Sequence, residues 1–439
     1  MIFNDDILAS LDKILENQQA YLVGGYLRNY FINNEISNDR DIVVLKDSFG
    51  FAKKLAGNFN GTLIELDKEN QIYRVVLEDK INYFDIALAQ NNDILKDAKR
   101  RDFTINSIFY DLNKKELFDP NNGIEDIKNK ILRTPDLNNL IDDSLRFLRL
   151  YRFMAQFDLR IEDELNNFVK DNFYKINSVA KERINYEIIS MFKGKFIAKT
   201  LNKMFDDNVL ELVFPFVKEI KRVPKNSHHH LDLIHHSIET VNQITLDKPL
   251  LKISAFYHDI GKPSTWTIEP VGRHRFIGHD IKGSEIVKKE LLDLKFSNKQ
   301  IAYISKMIKY HIYPSSLMQC AENDNKKAFA RFIRKLGDDV ADIIELAKAD
   351  RLSAIGEAVT EDMIQANIKH LNKLLEYYKE VKAKGADTKI LLNGSEIMKI
   401  LGIKPSKKIG EILEHLKEAQ ISGEITTKEE AINFVKQSR

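Results

Sequence analysis

Over roughly the first 130 positions, short apolar runs alternate with polar or helical stretches. Asp41-Ile42-Val43-Val44-Leu45, Ile72-Tyr73-Arg74-Val75-Val76-Leu77 and Tyr83-Phe84-Asp85-Ile86-Ala87 are rich in β-branched and aromatic residues and predict strands. From about position 140 onward β signals thin out and apolar residues recur at helical spacing. Gly194, Pro215, Val223-Pro224, Gly261-Lys262-Pro263, Gly272, Pro314 and Lys384-Gly385 break up this helical part. The pattern predicts an α/β head over 1–130, an all-α neck over 131–200, a helical body over 201–370 and a helical tail over 371–439.

Length supports this division, because 439 residues exceed what one hydrophobic core normally holds. Lys and Arg number 67 against 65 Asp and Glu, a net charge of +2, which excludes a uniformly basic nucleic-acid coat and an acidic disordered chain. Any nucleic-acid contact must therefore rest on local positive patches. The single cysteine, Cys320, forms no internal disulfide and no Cys-based zinc site, which predicts a reducing, cytoplasmic setting. The first residues mix Asp, Lys and Glu with apolar ones, unlike a signal or transit peptide. No run approaches the roughly 20 apolar residues that span a bilayer, so no membrane partner is expected.

Candidate chemistry begins at Ala20-Tyr21-Leu22-Val23, a predicted strand followed by a Gly24-Gly25 turn and a helix from Tyr26. Such a turn lets backbone N–H groups and a helix N-terminus approach a phosphate. Asp39 and Asp41 follow at positions i and i+2, on one face of a strand. Two adjacent carboxylates repel, and a divalent ion such as Mg²⁺ reconciles them; a solvated acid pair is the plain alternative. Asp85, in another predicted strand, is a candidate third carboxylate for two-metal phosphoryl transfer. In Arg100-Arg101-Asp102-Phe103-Thr104-Ile105-Asn106, adjacent arginines suit bidentate phosphate binding and Asn106 offers an amide to a sugar or base.

Taken in order, Leu22-Val23-Gly24-Gly25-Tyr26-Leu27-Arg28, Asp39-x-Asp41 and Arg100-Arg101-Asp102-Phe103-Thr104-Ile105-Asn106 resemble the class II tRNA nucleotidyltransferases. That family comprises the CCA-adding enzymes and the related bacterial poly(A) polymerases. The resemblance implies template-independent addition of CMP, with or without AMP, to the 3′ end of tRNA, with CTP, ATP and tRNA as partners and Mg²⁺ in the head. It implies that Gly24, Gly25, Arg28, Arg100, Arg101, Asp102 and Asn106 bind nucleotide. Asp142-Asp143-Ser144-Leu145-Arg146-Phe147-Leu148-Arg149-Leu150-Tyr151-Arg152-Phe153 looks like the family's nucleotide-selecting helix, with Asp142 where Glu is usual. On a helix Asp143 and Arg146 share a face, and an acceptor beside a donor complements the edge of cytosine or adenine, not uracil or guanine. Arg149 and Arg152 join the implied nucleotide site. Glu182-Arg183-Ile184 looks like the family's neck motif, for which an architectural role is expected. The short connection from Ala89 to Lys99 resembles the CC-adding subgroup, and Asn29 replaces an Asp common after the Gly-Gly turn.

Phe256-Tyr257-His258-Asp259-Ile260-Gly261-Lys262, with His236 upstream and Asp350 downstream, resembles the HD-domain metal phosphohydrolases. Their H…HD…D pattern implies a transition metal (Mn, Ni, Co or Fe) on His236, His258, Asp259 and Asp350. His279-Asp280 and His311 look like accessory positions; the run His228-His229-His230 is read as incidental. In the tail, Lys404, Lys407 and Lys408 cluster near a helix start and are candidates for tRNA phosphates. The alternative of another class is an HD phosphohydrolase or cyclic phosphodiesterase acting on RNA ends.

Overall fold

The computed structural model describes residues 3–15, 18–224, 232–270, 272, 274–319, 325–354, 359–385 and 390–438. Cys320 and His228-His229-His230 lie outside the described residues. The chain divides into two units, Met1–Leu212 and Val213–Arg439.

In the first unit, seven strands form one sheet in the order β3-β4-β5-β2-β1-β6-β7. They are β1 (Ala20–Val23), β2 (Asp39–Val44), β3 (Thr62–Asp67), β4 (Ile72–Val76), β5 (Tyr83–Leu88), β6 (Phe109–Asp111) and β7 (Glu116–Phe118). Four of these match the predicted runs. The other three were illegible for physical reasons: β3 is an edge strand with mostly exposed side chains, and β6 and β7 have three residues each.

Alternation along β2 places Asp39 and Asp41 on one face and Arg40 on the other. Arg40 is buried, pairs with Asp5 at 2.9 Å and donates to Asn82 Oδ1 at 2.9 Å, so its charge is satisfied away from the two acids. The pairing of β2 with β5 is parallel and sets Asp41 directly opposite Asp85.

After the sheet come the helices Leu145–Phe157 and Lys181–Phe192, which pack against each other. Leu145, Leu148, Tyr151 and Ala155 form the buried stripe of the first, at the spacing an amphipathic helix requires.

The second unit is almost wholly helical, as the apolar spacing predicts. Leu233–Gln243, Pro249–Tyr257, His279–Asp293, Asn298–Tyr310 and Val340–Ser353 pack around buried Phe214, Phe256 and Tyr257. A small hairpin, Thr267–Ile268 with His274–Arg275, interrupts them. Gly394–Leu401, Lys407–Ser422 and Lys428–Gln437 share a separate apolar cluster that includes Ile397, Ile412 and Val435. Among the described residues, no helix is long and apolar enough to cross a membrane.

Candidate functional site

Asp39, Asp41 and Asp85 form one acidic patch, with carboxylate oxygens within 4.8 Å of one another. Gly24 borders it at φ +77°, a backbone that L side chains rarely adopt, and a Cβ there would lie 2.7 Å from Asp41 Oδ2. Glycine thus lets the turn pass beside the acid, while Gly25 N–H donates to the Asp41 carboxylate. The helix Gly25–Asn33 starts at this point.

The patch has the character of a cation site. Asp39 Oδ1 is buried and accepts no hydrogen bond among the described residues. Burial first, then Asp85, raises the Asp39 pKa. Burial and neighbouring Asp39 lift Asp41 to about 7. Asp85 differs, because Arg74 grips both of its oxygens at 2.7 and 2.6 Å.

A carboxyl whose pKa is raised on folding binds its proton more tightly in the folded chain than in the unfolded one. Metal-free protein therefore loses stability from Asp41 as pH rises from about 4, the ordinary value, to about 7. A bound cation favours the charged form and opposes that loss. Mg²⁺ is expected to raise the melting temperature, relative to EDTA-treated protein, more at pH 8 than at pH 5.5. Equal shifts at both pH values would remove this patch from metal binding.

Arginines wall the neighbouring cleft, which encloses about 250 Å³ between Arg100, Arg101, Asp102, Asp143, Arg146 and Arg183. Arg100 and Arg101 converge on Asp97, with Nη2 atoms at 2.6 and 2.9 Å from its two oxygens. Asp97 is fully buried, and sequence reasoning missed it because an acid three residues before an Arg pair looks like ordinary helix surface. Burial opposes the charge of Asp102, but Arg149 at 2.6 Å and the Asn106 amide hold its pKa down at about 2. Asn106 donates to Asp102 and accepts from Arg28 at 2.6 Å, so both ends of its amide are used inside the protein. Buried Glu187 reaches Arg152 at 2.6 Å and Arg149 at 3.6 Å. It lies on the Lys181–Phe192 helix and ties that helix to the arginine wall.

The expectation for Asp143 is corrected. Asp143 does not share a helix with Arg146: it is extended (φ −134°, ψ 95°) and precedes the Leu145–Phe157 helix. Its Oδ1 accepts the Leu145 N–H at 3.2 Å, the interaction that stops an Asp short of the first turn. Its Oδ2 pairs with Arg183 at 2.8 Å. Arg146 donates to the carbonyls of Arg100 and Asn139, each at 3.0 Å. Both side chains still line the same cleft. Arg183, expected to be architectural, is also part of its wall.

The second unit assembles the other predicted cluster. His236 Nε2 lies 3.3 Å from His258 Nε2, 3.1 Å from Asp350 Oδ1 and 3.7 Å from Asp259 Oδ2. His279 Nε2 is 3.4 Å from Asp259 Oδ1 and 3.2 Å from His311 Nε2. All four imidazoles turn Nδ1 to a backbone carbonyl, of Ser353, Ala255, Phe276 and Ile308 in sequence order, which aims each Nε2 inward. Burial works against charge on His258, but Asp259 and Asp350 outweigh it and raise its pKa to about 10. Burial and the neighbouring histidines lower His311 to about 3. Lys262 Nζ completes the cluster, 2.5 Å from Asp259 Oδ2. Gly261 makes the approach possible, since a Cβ there would stand 2.0 Å from the His279 carbonyl.

Lys407 and Lys408 open the Lys407–Ser422 helix and Lys404 stands in the turn before it, all three exposed.

Three family models match the chain: the Poly A polymerase head domain over residues 20–133, the probable RNA and SrmB-binding site of polymerase A over 158–221, and the putative tRNA nucleotidyltransferase domain 2 over 279–435. An A-adding tRNA nucleotidyltransferase of Deinococcus radiodurans is 29% identical over 426 residues, covering 95% of this chain and 94% of that protein. A CC-adding tRNA nucleotidyltransferase of Thermus thermophilus is 26% identical, covering 95% and 93%. Among solved structures, the Bacillus stearothermophilus CCA-adding enzyme in complex with CTP shares the fold with a TM-score of 0.68 at 16% identity, covering 98% of this chain and 96% of that one. The Thermotoga maritima CCA-adding enzyme complexed with tRNA gives 0.64 at 20% identity, covering 99% and 95%. Matches in both units, together with relatives that align from end to end, make this chain a nucleotidyltransferase enzyme.

Proposed function

We propose that the chain extends the 3′ end of tRNA without a nucleic-acid template, drawing on CTP and, where the terminal residue is added, ATP. One observation carries the reading: the parallel β2–β5 register gathers Asp39, Asp41 and Asp85 beside the Gly24-Gly25 turn, in the same unit as an arginine-walled cleft. Bound between Asp39 and Asp41, Mg²⁺ would neutralise triphosphate charge and favour the attacking 3′-oxygen as a nucleophile. The protein's own groups do the rest. Backbone amides at the start of the Gly25–Asn33 helix receive phosphate. Arg100 and Arg101, anchored on Asp97, keep further N–H groups for phosphate oxygens.

Asp143 and Arg146 select the base. The carboxylate accepts from the exocyclic amine of cytosine or adenine and the guanidinium donates to the ring nitrogen beside it; uracil or guanine would put acceptor against acceptor, at roughly 1–3 kcal/mol for each buried mismatch. Arg183 fixes the Asp143 carboxylate in this role, while Asp102 and Glu187 hold Arg149 in the wall and Glu187 also pairs with Arg152 beside it. The compact Ala89–Lys99 connection, a 3-10 turn over Gln90–Asn92 and a helix over Ile94–Lys99, supports the CC-adding product.

The test is incubation with tRNA lacking its 3′-terminal CCA, and with tRNA ending in CC, using CTP, ATP or both. Two residues added from CTP regardless of ATP establish CC addition, and three with both nucleotides establish CCA addition. A single A placed only on the CC end assigns the A-adding step. No addition to either substrate would sink the reading.

A second activity has its own observation behind it, the inward-facing ring nitrogens around Asp259. Two Nε2 lone pairs at 3.3 Å repel unless a proton or a metal lies between them. His236, His258, Asp259 and Asp350 would hold a transition metal, which would supply an activated water for phosphoester hydrolysis. His279, His311 and Lys262 would meet the phosphate. The substrate class is a phosphate or 2′,3′-cyclic phosphate at an RNA end, whose removal leaves the free hydroxyl that nucleotide addition needs. Lys404, Lys407 and Lys408 are proposed to meet tRNA phosphates.

A further inference from the structure

The first unit contains a second basic cavity, which shares Arg28 and Arg152 with the expected nucleotide set but whose lysine side none of the roles above uses. It encloses about 670 Å³, more than twice the volume of the base-selecting cleft. It begins at Arg28 and follows the Gly25–Asn33 helix to Asn33 and Glu35. Its facing wall is the end of the Leu145–Phe157 helix and the turn Lys193-Gly194-Lys195.

Five cations line this groove against two carboxylates. Two of the cations are already balanced nearby: Lys130 pairs with Asp158 at 3.3 Å and Arg152 with Glu187 at 2.6 Å. Arg28, Lys193 and Lys195 remain, with Glu35 the carboxylate left on the wall. Arg28 is held by neutral groups, the amide oxygens of Asn29 and Asn106 and the rings of Phe153 and Phe157 at 4.9 and 5.1 Å. Burial and the charge of neighbouring Arg152 lower its pKa to about 10, against the opposing pull of Asp102 and Asp41.

The lysines are presented on a fixed support. Phe196 N–H donates to the Ala155 carbonyl at 2.9 Å, and Gly194 packs so closely that a Cβ would stand 2.3 Å from that same oxygen. Lys193 and Lys195 are both exposed and form no ion pair among the described residues. Two ammonium groups without an ion pair among the described residues thus stand on a closely packed turn across from the half-buried Arg28 guanidinium.

We propose that this groove carries the sugar-phosphate backbone of the RNA strand whose 3′ end enters the active site, with Lys193 and Lys195 as its phosphate contacts. This rests on the reading of the chain as an RNA-extending enzyme and deepens it by placing the strand. The location favours RNA over the incoming triphosphate: the groove leads away from the Gly24-Gly25 turn along the helix, over about 8 Å from Arg28 to Asn33. Its Arg28 end comes within electrostatic reach of Asp41. The match to the probable RNA and SrmB-binding site over 158–221 spans the lysine turn, independently of the geometry.

The test is the salt dependence of tRNA binding by the full chain, with tRNA lacking CCA as the probe and Lys193→Ala plus Lys195→Ala as the variant. Each lost phosphate contact lowers the slope of log K against log salt by about 0.7–0.9, so the double variant should lose about 1.5 units of slope. Affinity should fall at least tenfold at low salt, with CTP affinity and melting temperature unchanged. An unchanged slope overturns the proposal. A loss of CTP affinity in step with tRNA affinity also overturns it, by assigning the groove to the triphosphate. Lys193→Arg plus Lys195→Arg should restore binding, and its failure to do so would count against a phosphate contact. Wild-type protein that fails to extend tRNA refutes the function proposed above, whereas wild-type activity with identical binding by the variants refutes the groove alone. Wild-type protein that does not bind this tRNA overturns both.

Discussion

Asp41→Asn should slow CMP addition by about a thousandfold or more, while tRNA and CTP binding stay within a few-fold of wild type. The substitution preserves size and leaves an oxygen to accept the Gly25 N–H, so the turn and β2 should keep their geometry. What it removes is one negative charge from the patch that Asp39, Asp41 and Asp85 share. Asp85 cannot compensate, because Arg74 occupies both of its oxygens. Losing a first-rank metal ligand forfeits several kcal/mol of transition-state stabilisation, and about 4 kcal/mol corresponds to a thousandfold. Single-turnover extension of tRNA measures it directly. A rate within tenfold of wild type would exclude Asp41 from the reaction.

The second large effect is expected in the other unit. Asp259→Asn should abolish metal-dependent hydrolysis of 2′,3′-cAMP and reduce bound transition metal to near zero, as measured by elemental analysis of the purified chain. Asp259 lies among His236, His258 and His279, at 3.7, 3.3 and 3.4 Å, so the cluster loses the carboxylate common to its ring nitrogens. The same change leaves Lys262 without its ion-pair partner, and folding needs a separate check. Thermal melting of the full chain supplies one, since Asp259 lies in Val213–Arg439 and an unfolded second unit would lose its transition. Hydrolysis that survives with full metal content would refute the hydrolase reading and leave the nucleotidyltransferase untouched.

Particular residues separate what local sequence reveals from what it hides. The β1 strand, the Gly-Gly turn and the following helix were legible because strand propensity, positive-φ glycine and helical periodicity act over a few neighbouring residues. The same-face placement of Asp39 and Asp41 followed from alternation alone. Asp143 was placed inside a helix that begins two residues later, because its side chain accepts the Leu145 N–H instead of entering the helix. Asp97 and Glu187 were invisible as site residues, since only tertiary packing makes them the buried counter-charges of four arginines.

By itself the sequence determined an α/β head followed by helical segments, the Asp39-x-Asp41 pair, the phosphate-suited Gly24-Gly25 turn and the basic Arg100-Arg101 step, all properties of residues close in the chain. The tertiary structure decided which long-range partners those groups meet: Asp85 opposite Asp41, Arg183 on Asp143, and His236 gathered with Asp350 from 114 positions away. It also decided which charges form no ion pair among the described residues, leaving Lys193 and Lys195 open beside a half-buried Arg28. The physical reason is that strand pairing and the burial of charge are collective, so a residue's counter-charge is set by which surfaces the whole fold brings together.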